Sequence, residues 1–448
     1  MPATQRRTER SRALHERARA FLPLGVTGDG RYSEPYPIAF TRASGKWLHD
    51  VDENVYLDFH GGFGTAILGY AHPEVDAAVI EATREIGAFV GVPHPYEERL
   101  AERLCGALPG ADRVALCGGG GSDAIYHCVR LARAATGRSK IVKIEGGYHG
   151  WHGDVGASTR PPLAAAGDDR HPAAVPNSQG ILPAVLDEIV VATANDGELL
   201  ERVFERDGER IAAVLVEPAL YSAGCVPVDA AFLALARDLC TRDGAVLIFD
   251  EVMSGFRNGL GGAGARAGVV PDLGAYGKAV ANGYMLSFLA GKAELMTQLA
   301  PEGPVFYSGT FNGHPLSVAA AMATLDVIER DRVPERLWRL GDRIADGVNA
   351  ACDELGVNAV CQAYGSVFCV YFGTRRVHNY RDYARSVTAT IESLNDAFRA
   401  FLGDNGVYVH KRHVNRCFIG AAHDDGDADR MVDLVSEFLR GHREELAG

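Results

Sequence analysis

Four short runs of nearly uninterrupted apolar residues constrain this chain most. They are "KIVKIEG" (Lys140 to Gly146), "EIVVA" (Glu188 to Ala192), "AAVLVEP" (Ala212 to Pro218) and "AVLIFDEV" (Ala245 to Val252). A half-buried strand alternates apolar and polar residues; a continuously apolar one needs cover on both faces. "RVALC" (Arg113 to Cys117) opens the series, and helices such as "DAIYHCVRLARAATG" and "AAFLALARDLCTRDG" separate its members. Such alternation predicts an α/β fold with a mostly parallel sheet flanked by helices. Upstream, "PEVDAAVIEATREIG" places Val75, Val79 and Ala82 on one helical stripe. "GKWLHDVDENVYLDF" reads as a hairpin turned at Asp52-Glu53-Asn54. Beyond a long helix starting near Gly313 the strands thin out to "GSVFCVYF", "VYVH" and "RCFIGAAH". The expected division is an N-terminal segment of helix and hairpin (1–60), a large domain (61–325) and a smaller α+β domain (326–448). The stretch 159–179, rich in Pro, Ala, Asp and Asn, is expected to be a long loop of the kind that forms lids.

Charge and cysteine usage narrow the function class. The 58 acids against 45 bases leave a net charge of −13, which argues against a nucleic-acid backbone as partner. No apolar run reaches the roughly eighteen residues of a membrane span. The first 25 residues are basic and charged, lack the apolar core of a signal peptide, and read as an amphipathic helix ending near Phe21. The nine cysteines contain no C-x-x-C pair, so neither a metal site nor a disulfide framework is indicated. A reducing cytoplasm is the expected setting.

Four features fall on the sheet. "CGGGGSDA" (Cys117 to Ala124) lies between a strand and a helix, where successive backbone N–H groups can cradle a phosphate; the plainer reading is a flexible turn with an N-cap serine. "EGGYHG" (Glu145 to Gly150) brings Tyr148 and His149 to a strand end, where an aromatic face can stack on a flat ring. Glu217 and Asp250 each close a strongly apolar strand, a costly place for a carboxylate unless it is paired. Lys278, in "LGAYGKAVANG", has no acid within four positions on either side. A lysine among small and apolar groups has a lowered pKa and can act as a nucleophile; the alternative is a lysine that snorkels from a strand end. A phosphate cup, an aromatic platform, a carboxylate for a ring nitrogen and a nucleophilic lysine are together what pyridoxal 5′-phosphate asks of a protein.

In order and spacing the chain resembles the class III aminotransferases of fold type I, in the branch of glutamate-1-semialdehyde aminomutase. The likeness runs from "PLGVTGDGR" to "FIGAAH" and rests on "YHG", "VEP", "LIFDEVMSGFR", "DLGAYGKAVANG" and "SGTFNGHPLSVAAAMATL". The resemblance implies Lys278 as the Schiff-base lysine and Asp250 as partner of the pyridine nitrogen. It implies Tyr148 and Val252 on the two ring faces, Gly121 and Ser122 at the phosphate, and Glu217 beside the cofactor. Thr310 would reach the phosphate of a neighbouring subunit, which implies a homodimer with shared sites, and Arg31 would take a substrate carboxylate. Three departures stand out. The family's N-S-G-T-E-A cup reads Gly119 to Ala124 as "GGGSDA" here, "AVANGY" replaces a run of glycines, and Phe63 stands where tryptophan is usual.

The expected activity is amino-group transfer between an amine or amino-acid donor and a carbonyl acceptor. Aminomutase, epimerase or elimination chemistry is compatible with the same residues. A non-catalytic cofactor-binding domain would be expected to have lost Lys278 or Asp250. An oxo-sugar acceptor, as in aminoglycoside antibiotic biosynthesis, is suggested by the acidic surplus, by the open stretch "GVTGDGRYSEPYP" with Asp29, Tyr32 and Glu34, and by the room left at Phe63. Arg31 speaks against it.

Overall fold

The computed structural model describes residues 6–409 and 414–447. The N-terminal hairpin forms as expected: β1 (Phe40–Ser44), β2 (Trp47–Asp50) and β3 (Val55–Asp58) are antiparallel. The seven-stranded sheet that follows is built from β4 (Arg113–Cys117), β5 (Lys140–Ile144), β6 (Ile189–Ala192), β7 (Ile211–Val216), β10 (Val246–Glu251), β11 (Leu273–Tyr276) and β12 (Ser287–Gly291). A two-stranded ribbon, β8 (Ala219–Leu220) with β9 (Val226–Pro227), branches off just after β7.

The sheet order is β4-β12-β11-β10-β7-β5-β6. Four junctions are parallel; β12 runs antiparallel to both β11 and β4. β12 went unforeseen because "SFLAG" is short and follows a loop-like "ANGYM". Its five residues are all buried. With β12 inverted, β4 points the same way as β5, β7, β10 and β11. The loops after all five strands therefore open on one edge of the sheet, where ligands of open α/β sheets bind.

The strands are apolar because helices cover them. The helix Gly121–Thr136 buries Ala124, Ile125, Cys128, Val129 and Ala132, a stripe of helical period lying on β11 and β12. Each fully buried Ile or Val of that stripe contributes roughly 1.5–3 kcal/mol by leaving water.

The C-terminal part carries β13 (Ala359–Tyr364), β14 (Val367–Phe372) and β16 (Arg416–Phe418) in an antiparallel sheet. The helices Val333–Leu355, Ala389–Asp404 and Asp425–Gly441 pack around it. β15 (Val407–Tyr408) leaves that group and pairs in parallel with β3. The N-terminal hairpin and the C-terminal part thus share one sheet, which local patterning did not reveal. His410, at the end of the expected strand "VYVH", and residues 1–5 lie outside the described residues. The N-terminal helix spans Glu9–Ala18, and residues 159–179 form the expected long loop.

Candidate active site

The register of the sheet sets two carboxylates side by side. Val216 of β7 faces Phe249 of β10, so the next residues, Glu217 and Asp250, emerge together at the carboxyl edge. Both are buried. Asp250 Oδ1 accepts the Val252 N–H at 3.0 Å, and Oδ2 lies 2.7 Å from His149 Nδ1. An ionised carboxylate only accepts, so Nδ1 carries the proton. Burial pushes the His149 pKa down, against the pull of Asp250, which keeps the ring neutral. Glu217 Oε1 accepts the Tyr148 N–H at 2.6 Å. Burial first, and the Asp250 charge second, raise its pKa.

Beneath this pair lies Lys143, fully buried in β5. Its Nζ donates to the Gly147 carbonyl at 2.6 Å, which Thr159 Oγ1 also reaches at 3.0 Å. Burial lowers its pKa to about 7, although Glu217, Glu145 and Asp250 all favour the charged form.

Lys278 follows β11 by two residues, at φ +46°. A side chain in the left-handed region costs on the order of 1 kcal/mol, which the burial of Ala279, Val280 and Ala281 behind it offsets. Its Nζ has one polar contact, the Met253 sulfur at 3.9 Å. Burial, reinforced by the Arg416 charge and opposed by Asp250 and Glu217, lowers its pKa to about 8. A lowered pKa leaves a larger share of Lys278 as free amine at neutral pH than for an ordinary lysine.

The wall beside Met253 is a left-handed turn. Gly61, Gly62, Phe63 and Gly64 have φ of +57°, +57°, +59° and +80°. Asp58 holds the turn through the His60 and Gly61 N–H groups at 2.8 and 2.9 Å. A Cβ on Gly64 would come within 2.8 Å of the Phe418 ring and 2.9 Å of the Met253 sulfur. Gly64→Ala is therefore expected to destabilise the fold by about 2 kcal/mol or more, from strain and overpacking together; denaturant unfolding measures it.

The expected cup forms at the start of the helix Gly121–Thr136. Ser287 Oγ shares its proton between the Gly119 and Gly120 carbonyls at 3.0 and 2.9 Å, and the Asp123 N–H donates to the Gly120 carbonyl at 3.0 Å, which fixes the loop at the helix start. A Cβ on Gly121 would lie 2.5 Å from both Val252 methyls, so only glycine lets these two loops meet. Gly150, at the end of the Tyr148 loop, packs as closely on Ser122. Tyr148 itself is half exposed. The sheet edge thus brings together Lys278, Asp250, Glu217, Val252, Tyr148, Gly121 and Ser122. Phe63 lies in the left-handed turn beside Met253, its ring 4.5 Å from that of His60.

Two expected residues stand apart from Lys278. Thr310 is exposed on the loop after Phe306 and borders a cavity of about 950 Å³ that also includes Gly119, Ser122 and Trp151. The Gly118 N–H to Asn312 Oδ1 bond, 2.8 Å, anchors that loop. Arg31 is exposed, and its guanidinium donates to Thr27 Oγ1 at 2.7 Å.

The residues fit pyridoxal phosphate on three counts. The helix start offers N–H groups for a phosphate, Lys278 offers an amine without an acidic partner in contact, and Asp250 offers a buried anion for a protonated ring nitrogen. Sequence reasoning missed Lys143, Met253, Arg257 and Arg416, and gave His149 no partner. Lys143 had a legible signal, a lysine inside a strand buried on both faces. Met253 and Arg257 follow Asp250 within "LIFDEVMSGFR", and only Arg416 comes from a distant segment.

Residues 30–435 match the family described as aminotransferase class-III. The glutamate-1-semialdehyde 2,1-aminomutase of Methanopyrus kandleri is 39% identical over 429 residues, 95% of this chain and 96% of that one. An omega-transaminase from Sphaerobacter thermophilus superposes with a TM-score of 0.89 at 32% identity, covering 97% of this chain and 98% of that one. A transaminase solved with PLP bound gives 0.87 at 28% identity, covering 99% and 100%. The chain belongs to the class III aminotransferases, enzymes whose cofactor is pyridoxal 5′-phosphate.

Proposed function

We propose that this enzyme moves an amino group from an amine or amino-acid donor to a carbonyl acceptor. The observation that carries the reading is Lys278: a lysine with a lowered pKa, facing two buried carboxylates that it does not ion-pair. When bound, the cofactor supplies an aldehyde for an amine to attack and a ring that accepts the electron pair left on the substrate carbon. Lys278 Nζ would hold the cofactor and, as a free amine, would move a proton at the substrate carbon. Asp250, oriented by His149 and by the Val252 N–H, would offer a carboxylate to the ring nitrogen. Glu217 positions the Tyr148 loop. Gly121 and Ser122 would hold the phosphate, Tyr148 and Val252 would bound the ring, and Phe63 would bound the substrate space.

Thr310 belongs to the same proposal. Its exposure between the exposed rings of Phe306 and Phe311 supports a reading of the enzyme as a homodimer with shared sites. An oxo-sugar acceptor draws less support from the N-terminal stretch than expected, because Tyr32 donates to Glu34 at 2.7 Å.

A second reading, internal transfer as in glutamate-1-semialdehyde aminomutase, is favoured by the 39% identity to an enzyme of that name. Two assays separate the readings. The holoenzyme is mixed with a panel of amines, and conversion of the cofactor to its aminated form is followed by absorbance; glutamate-1-semialdehyde is supplied alone in parallel. Net transfer predicts conversion by several donors and turnover only when an acceptor is added. If glutamate-1-semialdehyde is isomerised efficiently and no donor–acceptor pair turns over, internal transfer replaces it.

A further inference from the structure

We infer that Lys143, inside β5, is a positioning residue for the Asp250–His149 pair, acting through the Gly147 carbonyl and through its own charge; this rests on the role proposed above for Asp250. Strand register puts Lys143 under that pair. Lys143 lies opposite Leu215 of β7, and Leu215 lies opposite Ile248 of β10. Partners across a sheet share a face, and so do residues two apart along a strand. Lys143 therefore stands on the same face as Glu217 and Asp250, two residues short of them. On that face Leu215 and Ile248 pack with Ile125, Cys128 and Val129 of the helix Gly121–Thr136. Lys143 is fully buried, and the acceptor its Nζ meets is the Gly147 carbonyl at 2.6 Å.

Gly147 passes this contact on to His149. A Cβ on Gly147 would lie 2.8 Å from His149 Nε2, so the imidazole rests against the bare glycine. On the other side of the ring, Nδ1 meets Asp250 at 2.7 Å. The contacts thus run from Lys143 through Gly147 and His149 to Asp250. Thr159 Oγ1 donates to the same carbonyl at 3.0 Å and accepts from Asn177 Nδ2 at 2.9 Å. The turn therefore has a neutral donor already, and a buried ammonium is a costly way to add a second. What Lys143 contributes beyond Thr159 is a positive charge.

That charge bears on His149. The titratable groups that face the imidazole are Asp250 from β10, Lys143 from β5 and His152 from its own loop. Burial does most to lower the His149 pKa, Asp250 opposes it, and Lys143 adds to the lowering. Lys143 itself faces Glu217, Glu145 and Asp250, of which Glu145 is paired with Arg381 at 2.8 Å. With a pKa of about 7, Lys143 carries its charge on the acid side of neutrality, where an ordinary histidine takes up a proton. A protonated His149 would offset the Asp250 charge; Lys143 keeps the ring a neutral donor.

The experiment uses Lys143→Met, which keeps most of the side-chain length and removes the charge. Replacing a buried ammonium by an apolar side chain of similar volume is expected to leave the fold intact. The first readout needs neither cofactor nor turnover: an NMR titration of the apoprotein with isotope-labelled histidine, the His149 signal being identified by its loss in His149→Gln. Its midpoint is expected to move to higher pH in Lys143→Met, by roughly half a unit or more. In the holoenzyme, single-turnover amination of the cofactor by an amine is expected to slow about tenfold or more below about pH 7 and less above it, with cofactor affinity within about threefold. If Lys143→Met does not fold, Lys143→Gln, which also removes the charge, is expected to give the same histidine shift. An unmoved His149 midpoint, an equal shift in Thr159→Val, or an amination rate within about threefold of the parent at every pH would each overturn the assignment. If no amine aminates the cofactor of the parent holoenzyme, the aminotransferase reading fails, while the histidine titration still decides Lys143.

Discussion

Lys278→Ala is expected to lower turnover by about 10⁴-fold or more and to leave a folded protein. In the proposed mechanism the lysine supplies both the covalent link and the proton transfer, and general acid–base catalysis alone contributes roughly 10²–10⁴-fold. The fold should survive because alanine keeps the Cβ. The left-handed backbone at φ +46° is then no more strained than before, and the buried run Ala279 to Ala281 is untouched. Reduction of the holoenzyme with borohydride and peptide mapping test the link itself. The competing residue is Lys143, equally deprotonatable, with a pKa of about 7. Its Nζ is tied to the Gly147 carbonyl at 2.6 Å and packed inside β5, so it cannot reach an aldehyde at the sheet edge. Reduced cofactor on Lys143 would reject Lys278. The pH dependence follows from the same lowered pKa. Only the free amine attacks, so cofactor capture by the apoprotein should accelerate as pH rises and level off above about 8.

Asp250→Asn is expected to reduce the rate of cofactor amination by about 10²–10³-fold, with a much smaller effect on cofactor affinity, the range seen when one preorganised charge partner is removed. The carboxylate accepts two protein hydrogen bonds, one on each oxygen, from Val252 and His149. Asparagine has a single accepting oxygen and turns an N–H₂ toward one of these donors. It also removes the anion that favours a protonated ring nitrogen. The cofactor is still gripped at the phosphate and by Lys278, so binding suffers less than chemistry. Single-turnover absorbance measures the rate, and equilibrium dialysis the affinity. A rate within about threefold of the parent, or about 0.7 kcal/mol, would remove Asp250 from this role.

The α/β class, the β4, β5, β6, β7 and β10 positions and the two strand-end carboxylates were legible from the sequence alone. Continuous apolar runs must be covered on both faces, and a carboxylate or lysine at the end of such a run stands out against its neighbours. The tertiary structure decided what no local pattern encodes. The inversion of β12 aligns β4 with β5, β7, β10 and β11 and so puts the Gly121 cup on the same edge as Lys278. The pairing of β15 with β3 carries the chain from the C-terminal part back to the N-terminal hairpin. The His149–Asp250 bond joins residues 101 positions apart. Arg31, which the resemblance implied at the substrate, stays at the surface. Periodicity and composition report how a segment meets solvent; which segments then meet each other depends on burial summed over the whole chain, and that sum is made only in the folded state.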